Sequence, residues 1–388
     1  MKTRTIQLGE VVAIVGGGTP RRDRSDYYGG TIPWMTVKDF GEGFTIRTTQ
    51  ERITRAGLEN SATRLIPAGN VIIGTRMSVG RATLNDVDLA INQDLKALLC
   101  QAELLPQYLT FFLSFAAPKL EAKATGATVK GITIDDIQEL ELPLPSLPEQ
   151  RQIAVMLEQA DRLRRTRRYA LELSDTFLPA AFLEMFGDRG AHWPKATLGE
   201  VTEQFSYGTS VKCGGQANET PVLRIPNIIG DTIDIHDLKY GALANSERKK
   251  LLLLPGDLLF VRTNGNPDYV GKCAVFDLQG DYCFASYLIR SRLHQTTVSP
   301  VFVAGYLRSM SGRKCMRPAI RTTAGQFNVS VEGLRDVAIP VPPLRLQQRF
   351  ADLVREHERL RAAQRECLRQ AEYLFQSLLY RAFGEGLQ

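Results

Sequence analysis

Apolar residues recur at alternating spacings of three and four along two long stretches of the chain. The first series is Ile153, Met156, Ala160, Leu163, Ala170, Ser174 and Phe177, and the second is Phe350, Leu353, His357, Leu360, Cys367, Ala371 and Leu374. Polar residues, Arg167 and Gln364, interrupt both series at the same level. This spacing predicts two long amphipathic helices with a coiled-coil seam. Because a lone helix of about 45 Å cannot bury such a stripe, we expect the two helices to pair antiparallel.

The residues that precede each helix follow a different pattern, with short β-rich runs between turns marked by glycine and proline. Examples are NVIIGT from Asn70 and DLLFVRT from Asp257. Each half also holds one shorter helical stretch, LPQYLTFFLSFAAPKLEAKA in the first and SPVFVAGYLRSMSGRKCM in the second. The pattern is not a regular alternation of strand and helix, so it predicts an α+β (mixed α/β) class.

The two halves are copies of one plan. At an offset of 197 residues, Pro143, Pro145, Leu147 and Gln150 match Pro340, Pro342, Leu344 and Gln347. Nearer the start of each half, LGEV recurs at Leu8 and Leu198, and each copy is followed by Gly-Thr, at Gly18-Thr19 and Gly208-Thr209. PAGNVIIGT and VGRA recur loosely as PGDLLFVRT and VGKC. Landmarks in the same order in both halves indicate a tandem repeat.

The repeat predicts a division of the chain into four segments. Two pseudo-symmetric globular domains occupy residues 1–147 and 188–343. Two helices, residues 148–187 and 344–388, form an antiparallel two-helix coiled-coil spacer between them. The prolines before each helix end the preceding strand, because proline is unfavourable in the interior of a helix or of a central strand.

Bulk composition excludes several classes of protein. A chain of 388 residues with 44% hydrophobic and 23% charged residues is globular and has more than one domain. No apolar run reaches the length of a membrane span, and the first residues lack the apolar core of a signal peptide. The six cysteines contain no C-x-x-C pair, so we expect free thiols, no metal site and a cytoplasmic location. A net charge of +6 is compatible with a nucleic-acid partner but does not establish one.

No constellation of residues in the chain has the pattern of a catalytic site. NPDY at Asn266 resembles a motif of amino-methyltransferases, but Asp268 stands where that motif has a second proline. GNPDYVGKC at Gly265 has one residue too many for a phosphate-binding loop, and Cys273 replaces its Ser or Thr. We therefore expect a chain that is not an enzyme and binds no cofactor.

The hinges LPLPSLPEQRQIA and IPVPPLRLQQRFA, each followed by a long helix with FLPAAFLEMFGD or YLFQSLLYRAFGEG, carry a family resemblance. The whole chain resembles the DNA specificity subunit of type I restriction-modification enzymes. The second hinge has Arg345-Leu346 where the first has Pro148-Glu149, so the motif is weaker there.

The resemblance implies a function and a set of partners. Each globular domain would be a target recognition domain that reads one half of a bipartite site in double-stranded DNA. The helices would set the distance between half-sites and dock two methyltransferase subunits. Those subunits would bring S-adenosylmethionine, and a motor-nuclease subunit would bring ATP and Mg.

Polar residues in loops beside strands are the candidates for DNA contact, because arginine, lysine, asparagine and glutamine bind phosphates and base edges. In the first half these are Arg21, Arg22, Arg24, Tyr27, Lys38, Arg76, Arg81, Lys123 and Lys130. In the second half they are Tyr207, Lys212, Arg224, Asn227, Arg262, Asn264, Asn266, Lys272, Arg321, Gln326 and Asn328.

Two other functions are compatible with the sequence. One is a coiled-coil scaffold with two protein-binding adaptor domains and no role on DNA. The other is an enzyme with a site that the motifs do not reveal. Steep weakening of duplex binding by salt distinguishes a DNA-binding protein from the scaffold.

Overall fold

Each half of the chain builds short strands and short helices and ends in one helix of 40 residues. The structure, a computed structural model, describes residues 4–126, 129–187, 193–214, 219–228, 232–323 and 325–384. The first half contains β1 (Arg4–Gln7), β2 (Val12–Gly16), β3 (Tyr28–Met35), β4 (Thr45–Ile46), β5 (Glu51–Ile53), α1 (Arg55–Glu59), β6 (Leu65–Ile66), β7 (Val71–Gly74), β8 (Ala82–Asn85), β9 (Leu89–Ile91), β10 (Leu95–Cys100), α2 (Pro106–Lys123), α3 (Ile134–Gln138), β11 (Glu141–Leu144) and α4 (Leu147–Phe186).

The second half repeats this succession with more interruptions. It contains β12 (Lys195–Thr197), β13 (Thr202–Tyr207), β14 (Thr220–Leu223), α5 (Ile225–Ile228), β15 (Lys239–Gly241), α6 (Asn245–Leu251), β16 (Leu258–Val261), β17 (Thr263–Asn264), β18 (Cys273–Val275), β19 (Cys283–Phe284), β20 (Leu288–Leu293), α7 (Pro300–Arg308), α8 (Met310–Met316), β21 (Ile320–Thr323), β22 (Gln326–Val329), α9 (Val331–Arg335), β23 (Ala338–Pro340) and α10 (Leu344–Phe383).

The chain forms two compact units, and each long helix contributes to both of them. The first unit comprises Met1–Leu171 with Gln364–Gln388, and the second comprises Glu172–Ala363. The unit borders therefore fall inside α4 and α10. The four segments expected from the sequence, with borders at the helix starts, stay a prediction.

The first unit is built on two sheets and a strand pair. One sheet has the strand order β2-β10-β7-β8-β4, the other has the order β5-β3-β9-β6, and β1 pairs with β11. Strand β7 is buried at all four positions, as its unbroken apolar run VIIG requires. Helix α2 covers this sheet with Tyr108, Phe112 and Leu113, which belong to the same apolar core as Val71 and Ile73.

The second unit repeats the strand order of both sheets with one strand fewer in each, and it adds a three-stranded sheet, β17-β22-β21. Its main sheet has the order β13-β20-β16-β18, its second sheet has the order β15-β14-β19, and β12 pairs with β23. In both units the second sheet contains one parallel pair, β3 with β9 in the first and β14 with β19 in the second. The prediction of a mixed fold with two pseudo-symmetric globular parts is confirmed.

Within each unit, a segment of α4 packs antiparallel against a segment of α10. In the first unit, Arg168 donates to Glu372 at 2.9 Å, and Arg164 lies 4.2 Å from the ring centroid of Phe375. Residue numbers therefore rise along one helix as they fall along the other.

The second unit repeats this arrangement with other residues. The rings of Phe182 and Phe350 lie 5.2 Å apart, the ring of Phe177 stacks on that of His357 at 5.2 Å, and Asp175 pairs with Arg361. A continuous coiled coil through both units stays a prediction.

The expected seam is wrong at several positions. Ala160, Phe350 and Ala371 are buried as expected. Leu163 and Leu360, however, are 41% and 49% exposed, and the buried or half-buried positions lie one residue further on. Which side chains are buried between two helices depends on the residues that the opposite helix presents. Next to Leu163, the side chain of Arg164 packs against the ring of Phe375 on α10. Together with Met156 on α4 and Leu374 on α10, which are 39% and 44% exposed, these leucines form an exposed apolar row on each helix.

One buried glutamine in each unit explains why the hinge sequence occurs twice. Gln150 is fully buried; it accepts a hydrogen bond from the N–H of Leu105 (2.8 Å) and donates to the carbonyls of Glu103 (2.9 Å) and Pro145 (3.0 Å). Leu105 is the N-cap residue of α2, whose first N–H groups need partners from outside the helix. The side chain of Gln150 therefore fastens the start of α4 to the start of α2.

Gln347 makes the same connection in the second unit. It accepts from the N–H of Ser299 (2.8 Å), the N-cap residue of α7, and donates to the carbonyls of Thr297 (3.5 Å) and Pro342 (2.7 Å). The second proline of each hinge precedes the glutamine by five residues and offers the carbonyl that the amide binds. None of the helices within the described residues combines the length and apolar character that a bilayer crossing requires.

Candidate nucleic-acid interface

Two loops of the first unit are joined by backbone hydrogen bonds and bring Arg76 and Lys130 together. Gly131 pairs with Arg76 and with Thr125, and the N–H of Ile132 donates to the carbonyl of Thr75 at 3.0 Å. Arg76 and Lys130 are exposed and form no ion pair with any described residue. The β7–β8 loop and the loop before α3 therefore present two free cations beside each other.

The arginines of the loop after β2 are paired with carboxylates. Arg21 binds Asp23 at 2.6 Å, Arg24 binds Asp26 at 2.7 Å, and Arg22 makes a two-point contact with Glu51 while its guanidinium lies 4.8 Å from the ring centroid of Tyr28. These pairs hold the pKa of the Asp23 and Asp26 carboxyls below its usual range, chiefly through the arginine hydrogen bonds. The charges of these three arginines are thus balanced by carboxylates. To bind a phosphate, each arginine would have to release its carboxylate partner.

The other candidates of the first unit lie apart from this pair of loops or are turned to neighbouring groups. Tyr27 is buried beneath Arg24. Arg81 donates to the carbonyl of Gly41 at 2.8 Å, and Lys123 lies 3.5 Å from a carboxylate oxygen of Asp136. Lys38 is exposed in the 3-10 turn Val37–Asp39, which follows β3.

In the second unit, a three-stranded sheet brings four of the candidates together. Strand β22 pairs with both β17 and β21, so that Asn328 lies opposite Thr263 on one side and Arg321 on the other. Asn264, Gln326 and Asn328 lie on neighbouring strands, and the hydroxyl of Thr263 donates to the amide oxygen of Gln326 at 3.2 Å. This sheet is the counterpart of the two joined loops in the first unit, and it carries three amide side chains beside the exposed Arg321.

Tyr207 and Arg262 lie next to that sheet and contact each other. The guanidinium of Arg262 lies 4.8 Å from the ring centroid of Tyr207 and donates to the carbonyl of Ser286 at 3.1 Å. The Tyr207 hydroxyl accepts from the N–H of Val331 at 3.2 Å. Both side chains are therefore held in place rather than free in solvent.

The remaining candidates of the second unit are more distant or are engaged elsewhere. Asn227 is buried; it accepts from the N–H of Arg224 and donates to the carbonyl of Asp234, so its amide shapes a turn. Arg224 itself binds Asp237 at 2.8 Å. The other three lie in loops. The side-chain oxygen of Asn266 accepts a hydrogen bond from the N–H of Asp268 and closes a turn. Lys272 lies against the ring of Tyr269, and Lys212 is exposed.

A glycine starts the loop after β2 and after β13, because the backbone there passes very close to another strand. A Cβ on Gly17 would lie 2.1 Å from the carbonyl oxygen of Asn92, and one on Gly208 would lie 2.2 Å from that of Phe284. The next residues, Gly18 and Thr209, donate their N–H groups to equivalent carbonyls at 2.9 Å. The structure therefore matches Gly17-Gly18 with Gly208-Thr209, and the alignment of Gly18-Thr19 with Gly208-Thr209 is wrong by one residue.

Sequence reasoning missed several polar groups at the same edge of the sheets. Gln93 accepts a hydrogen bond from the hydroxyl of Thr19, and Tyr287 is exposed beside Arg262. Lys96 is half-buried near Arg76, and burial together with the charge of Arg76 lowers its pKa. Gln93 and Tyr287 lie in short turns next to strands, and Lys96 lies in β10. No local sequence signal distinguishes them from ordinary polar residues.

The described residues contain no group of three or more histidine, cysteine, aspartate or glutamate side chains that could hold a metal ion. The joined loops, the three-stranded sheet and the paired arginines instead make surfaces of cations, amides and aromatic rings. Such surfaces bind anionic polymers with polar edges, and nucleic acids present both features.

Comparison with known proteins finds similarity to one family. A family model for the type I restriction modification DNA specificity domain matches residues 2–173. The EcoKI specificity subunit of Escherichia coli K12 is 26% identical over 289 residues, which cover 68% of this chain and 61% of that protein. The StySPI specificity subunit of Salmonella potsdam is 26% identical over 302 residues, covering 72% and 65%. Residues 2–173 thus match the type I restriction modification DNA specificity domain, and the chain is similar to type I restriction enzyme specificity subunits over about 70% of its length.

Solved structures of similar proteins share the fold. The S subunit of a type I restriction-modification system from M. genitalium matches with a TM-score of 0.60 at 17% identity, over 98% of this chain and 96% of that one. A chain from work on complex assembly and conformational transition of the type I R-M system matches with a TM-score of 0.63 at 20% identity, over 98% and 97%. The regions matched in the two curated relatives span less than two thirds of their length.

Proposed function

We propose that this chain is the DNA-recognition subunit of a type I restriction-modification complex and is not itself an enzyme. Its two units would read the two halves of a bipartite site in double-stranded DNA. The observation that carries this proposal is one topology built twice, with different polar groups at matching edges. A protein that reads two unlike half-sites needs a common scaffold with different contact loops.

The contacts with DNA would be divided between phosphates and bases. In the first unit, Arg76 and Lys130 would bind the phosphates, because they are exposed cations without carboxylate partners among the described residues. In the second unit, Asn264, Gln326 and Asn328 would read base edges, since a carboxamide both donates and accepts. Arg262 and Tyr207 would position that sheet, and Asn227 would shape its own turn.

The partners would bind along the helices. The relatives are specificity subunits, and the apolar row of each long helix, with Leu163 and Leu360 at matching places, lies exposed. Exposed rows of apolar side chains mark protein interfaces. We propose that each row docks one methyltransferase subunit. Those subunits would supply S-adenosylmethionine, and a motor-nuclease subunit would supply ATP and Mg.

Methylome sequencing of cells with and without the protein tests the function. We expect an interrupted, two-part methylated sequence that disappears in its absence. An oligonucleotide with that sequence then serves for binding by the complex of this chain with its methyltransferase subunits. Native mass spectrometry should find two such subunits per chain. Loss of a continuous methylated sequence, or no loss, would contradict the proposal.

The variant Arg76→Gln tests the proposed division of labour. Removing one phosphate contact should lower the slope of log affinity against log salt by about 1 and weaken binding to all duplexes about equally. Arg55→Gln is the matched control, because Arg55 is an exposed arginine of the same unit that pairs with Glu59 on α1. If Arg76→Gln and the control give the same slope of log affinity against log salt, Arg76 does not contact DNA.

A further inference from the structure

Met77 has a backbone conformation that methionine rarely adopts. Its φ is 59°, in the left-handed region, and no other described residue except glycine has a positive φ. This region is unfavourable for side chains larger than hydrogen, and asparagine or aspartate usually occupies it when glycine does not. The side chain is also 73% exposed. Neither packing nor local hydrogen bonding therefore explains why methionine stands here.

Backbone hydrogen bonds on two sides hold Met77 in this conformation. Within the β7–β8 loop, Ser78 donates to the carbonyl of Arg76 at 2.6 Å, and Gly80 donates to that of Gly74 at 3.0 Å. From the other side, the loop before α3 pairs with Arg76 through Gly131. A strained residue that its surroundings fix so firmly indicates a functional position.

The surroundings of Met77 indicate which ligand it would meet. Arg76 precedes it in the chain, and Lys130 stands in the paired loop, so two exposed cations flank an exposed apolar side chain. The lowered pKa of the nearby Lys96 results first from burial and then from the charge of Arg76. DNA offers phosphates for such cations and, between them, apolar base faces and thymine methyl groups.

The second unit has a polar group at the corresponding place. The carbonyls of Thr75 and Arg262 accept equivalent backbone hydrogen bonds, from Ile132 and Val329, so the loops after them correspond. Beyond Arg262 that loop carries Asn264, whereas the loop beyond Thr75 carries Met77. The two units thus present different chemistry to a ligand at one position of the fold.

We propose that Met77 is a specificity-determining residue that makes an apolar contact with one base pair of the half-site read by the first unit. Arg76 and Lys130 would bind the phosphates on either side. This inference rests on the proposed function.

The test measures binding of the complex with its methyltransferase subunits to duplexes with and without the methylated site, by fluorescence anisotropy. Met77→Ala and Met77→Gln should each weaken binding to the specific duplex by about 5- to 100-fold, as the loss of one base contact does. Binding to random duplex and its salt dependence should not change. Met77→Leu should retain most of the affinity, because leucine keeps the apolar volume.

Two controls make the result specific. Met310→Ala removes an equally apolar side chain that is 92% exposed at the start of α8 in the second unit, and should leave affinity unchanged. Met77→Gly should raise the melting temperature by about 2–4 °C, because glycine adopts a positive φ without strain, and should still lose specific affinity. Met77→Gly should therefore raise the stability of the protein while it lowers the affinity for the specific duplex.

Modified duplexes show which apolar group is contacted. Replacing thymines by uracil one at a time should weaken wild-type binding at one position and leave Met77→Ala unaffected there if the contact is a methyl group. Increased 2-aminopurine fluorescence with the wild type alone would indicate insertion between bases. Equal specific affinity of wild type, Met77→Ala and Met77→Gln would overturn the inference, whereas failure of the wild type to prefer its site would overturn the proposed function.

Discussion

Replacing Gln150 by methionine should destabilise the first unit, because this fully buried amide satisfies three backbone groups at once. Methionine has a similar length and volume but can neither donate nor accept effectively. The change would leave the N–H of Leu105 and the carbonyls of Glu103 and Pro145 without partners where the start of α4 meets α2.

The magnitude follows from those three groups. A buried donor without a partner costs about 1–3 kcal/mol, and carbonyls, which have two lone pairs, cost less. Burial of the apolar methionine side chain offsets roughly 1 kcal/mol of this loss of stability. The net loss should be about 2–4 kcal/mol. For a unit of about 200 residues, each kcal/mol lowers the melting temperature by about 2–4 °C, so the shift should be about 4–16 °C.

Scanning calorimetry and hydrogen exchange should be measured together. Gln150→Met should lose amide protection at the start of α2, residues 103–110, and Gln347→Met should lose it at the start of α7, residues 297–304. Gln152→Met and Gln348→Met change exposed glutamines on the same two helices and are the matched controls. They should shift the melting temperature by less than about 2 °C.

Two outcomes would refute this reasoning. If the buried-site variants melt within 2 °C of their controls, the glutamine hydrogen bonds are not needed for stability. If Gln150→Met instead exposes the start of α7, the connection is not local to its unit.

Two further substitutions test the packing that shapes the sites. Gly208→Ala places a Cβ 2.2 Å from a carbonyl oxygen and should cost about 2–4 kcal/mol in urea unfolding, whereas Gly41→Ala, with no atom within 4 Å, should be nearly neutral. Asp257→Asn breaks a buried two-point pair with Arg292, at 2.7 and 2.8 Å, and should cost about 3–5 kcal/mol by thermal melting. Its exposed counterpart, Asp352→Asn, should cost less than about 1 kcal/mol. Equal effects within either pair would contradict the steric or the electrostatic reasoning.

Much of the fold could be predicted because its signals are local. Proline spacing, the matching glutamines and the periodicity of three and four mark both hinges and both long helices, and α4 and α10 start within one residue of the predicted positions. The order of landmarks predicts that the halves are alike, and the two topologies confirm it.

The candidate site was less predictable, because the availability of a charged side chain depends on distant neighbours. Arg22 and Arg76 are equivalent in sequence terms, yet Arg22 meets Glu51 from another strand, while Arg76 has no carboxylate beside it among the described residues. Likewise, the sequence RIPNII around Asn227 does not indicate that its amide is buried in a turn.

The sequence by itself determined the repeat, the mixed class and the places where strands give way to long helices, since these depend on backbone propensity and on period. Tertiary structure decided which face of each helix is buried, why a glutamine follows each pair of prolines, and why Met77 stays in a strained conformation at a loop tip. The physical reason is that a hydrogen bond or a contact needs both partners in place, and only the folded chain brings them together.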